Sequence, residues 1–103
     1  MVASLSKYLV TATYIRGTVR LEAMAEGETP QQAAVASIWH GLLPLRFDRG
    51  PGGPQPVYFK PNHSWPEIQE VAATADTATM AFSWGIQDGP THLMVKVTRA
   101  PEQ

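Results

Sequence analysis

From Lys7 to Ala25 apolar and polar residues alternate almost without interruption, with Gly17 near the middle. Nothing else in the chain limits the fold so strongly. A period of two marks a β-strand with one buried face. One unbroken strand of that length would extend about 60 Å at roughly 3.3 Å per residue. A packed chain of about 100 residues has a radius of gyration of only about 13 Å. The segment must therefore turn back on itself or bend sharply. If Arg16-Gly17 is a two-residue turn, Tyr14 pairs with Val19, Ala12 with Leu21, Val10 with Ala23 and Tyr8 with Ala25. Every one of these residues is apolar or aromatic. The opposite face pairs Thr13 with Arg20, Thr11 with Glu22 and Leu9 with Met24. A slip of one residue would move the apolar set to the polar face, so the register is strongly specified. Arginine is a poor first residue for a tight hairpin turn, and a strand bent at a bulge on Gly17 is the competing reading.

A second alternating pair follows near the C-terminus. Ala78, Met80, Phe82, Trp84 and Ile86 share one face, with Thr79, Ala81 and Ser83 on the other. Leu93, Val95 and Val97 lie opposite His92, Lys96 and Thr98. Gln87-Asp88-Gly89-Pro90-Thr91 supplies turn residues between them. This is a second antiparallel hairpin.

Between the hairpins two helices are predicted. Thr29 as N-cap, Pro30 at the first helical position and Gln32 at N3 make a capping box. Val35, Ile38, Trp39 and Leu42 then follow helical spacing, and Pro44 stops the run. The second helix has Ser64 as cap, Pro66 in its first turn, Glu67 at N3, and a stripe of Ile68, Val71, Ala72 and Ala75. Val57 to Lys60 reads as a short strand ended by Pro61. The expected fold is α+β: one domain over 1–103, a mainly antiparallel sheet of about five strands in the order ββαβαββ, and two helices on one face. Residues 49–56, rich in Gly and Pro, are expected to form a surface loop.

Composition narrows the chemistry. Eight Lys/Arg against nine Asp/Glu give a net charge of −1, without the basic excess that non-specific nucleic-acid binding needs. With 44% hydrophobic and 17% charged residues the chain can bury a core. It has no cysteine, which excludes disulfides, thiolate metal sites and thiol nucleophiles. No apolar run reaches the roughly 18–20 residues that span a bilayer, and Met1 to Leu5 lack the features of a signal peptide. The expected location is the cytoplasm, away from membranes.

No catalytic constellation stands out. His40, His63 and His92 lie 23 and 29 residues apart, without the close spacing that metal ligation on one helix requires. Ser64 beside His63 is already used as a cap, and no nucleophile elbow is present. Gly50-Pro51-Gly52-Gly53-Pro54 lacks the lysine and the donor N–H groups of a phosphate loop. No metal or cofactor is expected.

The leading reading is a small non-enzymatic protein–protein interaction module: an accessory subunit, adaptor or inhibitor of a larger assembly, with a homodimer through the sheet as one form. Arg46, Phe47, Arg49, Trp65, Leu9 and Met24 are the expected partner-binding residues. The aromatics would be anchors, the arginines forks for carboxylates, and Leu9 with Met24 an apolar pair on an otherwise polar sheet face. Trp39 and Trp84 are assigned to the core. Trp65 either staples the start of the second helix or stands exposed. A different reading is a small-ligand-binding protein or enzyme with His63 or His92 as acid–base. A third is weak nucleic-acid binding through Arg16, Arg20, Lys60 and Arg99, should folding gather them.

Overall fold

A computed structural model of the protein describes residues 5–14, 19–62, 64–83 and 93–101, except for the side chain of Arg49. In chain order the elements are β1 (Ser6–Tyr14), β2 (Val19–Gly27), α1 (Pro30–Trp39), β3 (Arg46–Gly50), β4 (Gly53–Val57), β5 (Glu67–Ala73), β6 (Thr77–Ser83) and β7 (Leu93–Arg99). Five strands form one sheet in the order β2-β1-β7-β6-β5, and every neighbouring pair is antiparallel. β3 and β4 form a separate two-stranded ribbon.

The first hairpin has the register read from its two faces. Tyr8 pairs with Ala25, Val10 with Ala23, Ala12 with Leu21 and Tyr14 with Val19. Its turn lies outside the described residues. The second hairpin pairs Ala78 with Val97, Met80 with Val95 and Phe82 with Leu93. Trp84, Ile86 and the connecting turn lie outside the described residues. β7 also pairs with β1, so the two hairpins merge into one sheet. Tyr8, Val10, Ala12, Tyr14, Leu93, Val95 and Val97 are buried on its inner face, with Ala78, Met80 and Phe82. Each fully buried large apolar side chain contributes about 1.5–3 kcal/mol relative to exposure.

α1 covers that face, and its start is the one predicted. The Thr29 side chain accepts from the Gln32 N–H, and Pro30 occupies the first turn. Gln32 Oε1 reaches back to accept from the Glu28 N–H at 2.9 Å. Gly41, at φ 72°, closes the other end. Its N–H donates to the Ile38 carbonyl and the Leu42 N–H to the Ser37 carbonyl, the two bonds of a Schellman motif. The rotation of the helix differs from expectation. Ala33, Ala34, Ser37 and Ile38 face the sheet, whereas Trp39 and Leu42 are exposed. Small residues let the helix sit close to the sheet, which a stripe of large ones would prevent. The buried Ser37 hydroxyl is satisfied by the Ala34 carbonyl at 2.7 Å.

The second predicted helix does not form. Residues Glu67–Ala73 are an edge strand, so among the described residues the fold is mainly antiparallel sheet with a single short helix, not two helices packed on a sheet. The capping signals at Ser64 and Glu67 are local and worth about 1 kcal/mol. Pairing with β6 instead satisfies a whole strand edge and brings Ile68 opposite Phe82. Val71, Ala72 and Ala75, the rest of the supposed helical stripe, are exposed. Propensity yields to tertiary pairing here.

The Gly/Pro-rich stretch is more regular than its composition suggests. Gly50 pairs with Gly53 across a turn at Pro51-Gly52, and Arg49 pairs with Pro54. Proline has no N–H, so the ladder must run through Asp48, Gln55 and their alternate neighbours, leaving Pro54 and Pro56 on the free edge. Of the predicted strand at 57–60 only Val57 belongs to a strand.

Candidate docking surface

Four aromatic rings run from the core to the surface beside the end of α1. Phe82, fully buried on β6, meets Trp65 edge-on at 6.4 Å between centroids. Trp65 lies edge-on to Phe59 at 4.9 Å and to Trp39 at 5.3 Å. Phe59 stacks on Trp39 at 4.9 Å with 30° between the planes. Such ring pairs contribute about 0.5–1.5 kcal/mol each beyond buried area. They hold Trp39 in a fixed pose although it is 53% exposed.

The surface next to Trp39 is the outer side of α1. Gln31, Gln32, Val35, Ala36, Trp39 and His40 line an open hollow of about 370 Å³. No residue from Pro30 to His40 carries a formal charge with histidine neutral. Gln31 Nε2 donates to Glu70 Oε1 at 2.8 Å, which ties the helix to β5. An indole, two aliphatic side chains and flanking amides suit an apolar side chain with polar backbone on either side.

The six predicted contact residues do not converge on this or any other single place. Leu9 and Met24 are opposite each other on the outer face of the sheet, 37% and 49% exposed. Met94 is exposed on the same face but opposite Thr13, well along the strand from Leu9. Arg46 is engaged within its own strand: Nε donates to Asp48 Oδ1 at 2.9 Å and Nη2 to Oδ2 at 3.4 Å. Phe47 meets Tyr14 edge-on at 5.0 Å and packs against the core. The Arg49 side chain is outside the described set. Trp65, half-buried, supports Trp39 from beneath.

The alternative chemistries find less. His63, His92 and Arg16 lie outside the described residues. Arg20 is on β2, Lys60 follows the ribbon, and Arg99 contacts Asp76 at 3.3 Å near the end of β7. The described members of that basic set are dispersed over separate elements. Among the described residues no three His, Asp or Glu cluster as metal ligands, and no helix is long and apolar enough to cross a membrane. Tyr14 is a structural group: its buried hydroxyl donates to the Pro44 carbonyl at 2.6 Å. Burial pushes its phenol well above the ordinary range, and the nearby Tyr58 phenol pushes the same way.

Sequence reasoning placed Trp39 in the core because it extends a large-residue stripe. A second stripe of Ala33, Ala34, Ser37 and Ile38 has the same helical spacing, and with no charge on either face the sequence does not choose between the two. The chain matches no protein-family model, no curated protein and no solved structure.

Proposed function

We propose that the protein is a non-enzymatic protein-binding module, acting as an adaptor, accessory subunit or inhibitor. It docks an apolar, uncharged segment of another protein against Trp39 and the outer side of α1. The observation that carries this reading is Trp39 itself, half-exposed, braced by Phe59 and Trp65, on a helix face without charge. Interface cores are depleted of charge and enriched in rigid aromatics, and tryptophan is prominent among residues that dominate binding energy. A braced indole loses little conformational entropy when a partner covers it.

The test is selection of peptides from a random displayed library on the immobilised protein, followed by affinity measurement. The enriched peptides are expected to be apolar and uncharged. Removing a dominant aromatic costs 2 kcal/mol or more, so Trp39→Gln is expected to bind them about 30-fold more weakly. Met24→Gln, on the far face of the sheet, is expected to bind as wild type. Charged winners, no winners, or winners that bind Trp39→Gln equally well would refute the reading.

A further inference from the structure

The free edge of β2 is less protected than those of β5 and β4. β5, at the opposite side of the sheet, carries a register shift between Glu70 and Ala72 and points the Glu70 carboxylate to the inner face. β4 presents Pro54 and Pro56. Bulges, inward charges and prolines are among the devices by which edges avoid pairing. β2 has none of them. It pairs with β1 over nine residues without a shift, and its inner-face residues are Val19, Leu21, Ala23, Ala25 and Gly27. Val19, Leu21 and Ala23 are only partly buried, as expected of an apolar row that ends at an open edge.

The order of charges along β2 identifies an occupant. Its outer face carries Arg20, Glu22, Met24 and Glu26. We infer that β2 pairs antiparallel with β2 of a second copy of this chain, about a two-fold axis through Ala23, to form one continuous sheet. This register sets Arg20 of each copy opposite Glu26 of the other, twice, and pairs all of Val19–Gly27. A two-fold centred on Glu22 would oppose that carboxylate to itself. One centred on Met24 would oppose Glu22 to Glu26. One centred on Leu21 would use only residues 19–23. Registers shifted by an odd residue would set the apolar face of one copy beside the polar face of the other. The Ala23 axis is thus the one that keeps faces matched, charges complementary and the strand fully paired. The interface is isologous and closes at two copies, because β5 at the other edge is guarded. It lies away from Trp39, which contacts rings on the β6 side, and it does not depend on the docking reading.

The test reads mass by sedimentation equilibrium. Wild type is expected at twice 11.2 kDa. Arg20→Glu alone and Glu26→Arg alone each convert two opposite-charge pairs into like-charge pairs, expected to weaken the dimer roughly 10- to 100-fold. Mixed together, the two variants are expected to recover as a heterodimer, and the double variant carrying both changes is expected to dimerise by itself. Because the chain has no cysteine, Ala23→Cys supplies a single thiol that faces its own copy and is expected to form a disulfide-linked dimer, while Val19→Cys does not. A wild type that is monomeric throughout, single variants that dimerise as wild type, failure of the mixture to recover, or equal cross-linking at 19 and 23 would each overturn the inference. The cross-linking result stands even if a charge variant fails to fold.

Discussion

The two outer strands of the sheet are held in different ways. β2 is followed after two residues by α1, which packs back across it, and its last two residues of the inner row, Ala25 and Gly27, are buried. Among the described residues β5 has no such cover. Its residues are exposed apart from Ile68, its ladder shifts in the middle, and Gln31 to Glu70 is the described side-chain hydrogen bond linking it to the helix. An edge strand owes its stability to what covers its inner face more than to its own ladder, since hydrogen bonds exchanged with water contribute only about 1 kcal/mol each. The same cover determines availability. β2 pairs in one register along its whole length, which suits the proposed pairing with a second copy; the shift and inward carboxylate of β5 oppose such pairing.

The largest test of that contrast is at the point where β2 meets its cover. A Cβ added to Gly27 would lie 2.8 Å from the Ala33 backbone nitrogen and 3.1 Å from the Gln32 side chain. The backbone there cannot yield without lifting the first turn of α1. Gly27→Ala is expected to destabilise by about 1–3 kcal/mol, the range for overpacked sites. At about 4–8 °C per kcal/mol for a small domain, melting should fall by roughly 5–20 °C in calorimetry. An unchanged melting temperature would show that β2 is not clamped by the helix, and the contrast would collapse.

Comparable in size is a change at the centre of the sheet, which should weaken both edges together. Tyr14 lies on β1, pairs with β2 on one side and β7 on the other, and donates to the Pro44 carbonyl. Tyr14→Phe leaves that buried acceptor unpaired, an expected loss of about 1–3 kcal/mol. The pH dependence has a definite sign. The folded phenol titrates above the unfolded value of about 10. Its stabilising contribution is complete below pH 10 and is lost as pH rises above it, because the unfolded chain ionises first. Alkaline unfolding of wild type should therefore coincide with phenolate absorbance, and Tyr14→Phe should unfold over a less steep alkaline range. An alkaline transition identical in slope for both would refute this role.

What could be read beforehand follows the same division between local and distant causes. The β1–β2 register was legible because both faces of one continuous segment agree on it. The start of α1 was legible from Thr29, Pro30 and Gln32, which act within one turn. Its rotation was not, because the Val35/Ile38/Trp39/Leu42 stripe and the Ala33/Ala34/Ser37/Ile38 stripe both have helical spacing. Only the sheet beneath favours the small one. β5 was misread as a helix because Ser64, Pro66 and Glu67 are local signals, whereas the strand that overrides them, β6, is a tertiary partner. The ribbon was missed because prolines argue against strands except at free edges, and no edge is visible in a sequence. For the site, the Leu9–Met24 pair followed directly from register. Arg46, Phe47 and Trp65 stand out in the sequence by residue type, and type does not reveal that an aspartate or an aromatic ring within the chain already engages them.

The smallest effects belong at β5, where the contrast can be sharpened residue by residue. Ile68 is the strand's half-buried apolar contact with the core. Fully buried isoleucines lose about 2–5 kcal/mol on truncation to alanine, and a half-buried one at an edge should lose about 1 kcal/mol. Glu70→Gln keeps an acceptor for Gln31 and removes the inward charge, so its cost should stay below about 0.5 kcal/mol. Amide exchange separates these from global effects. β5 amides in wild type should open by local fraying, well before those of β1 and β7. Ile68→Ala should speed exchange in β5 alone, leaving β2 protected. If β2 and β5 lose protection in step, the sheet opens as one unit, and the cover over the inner face does not set the stability of its edges.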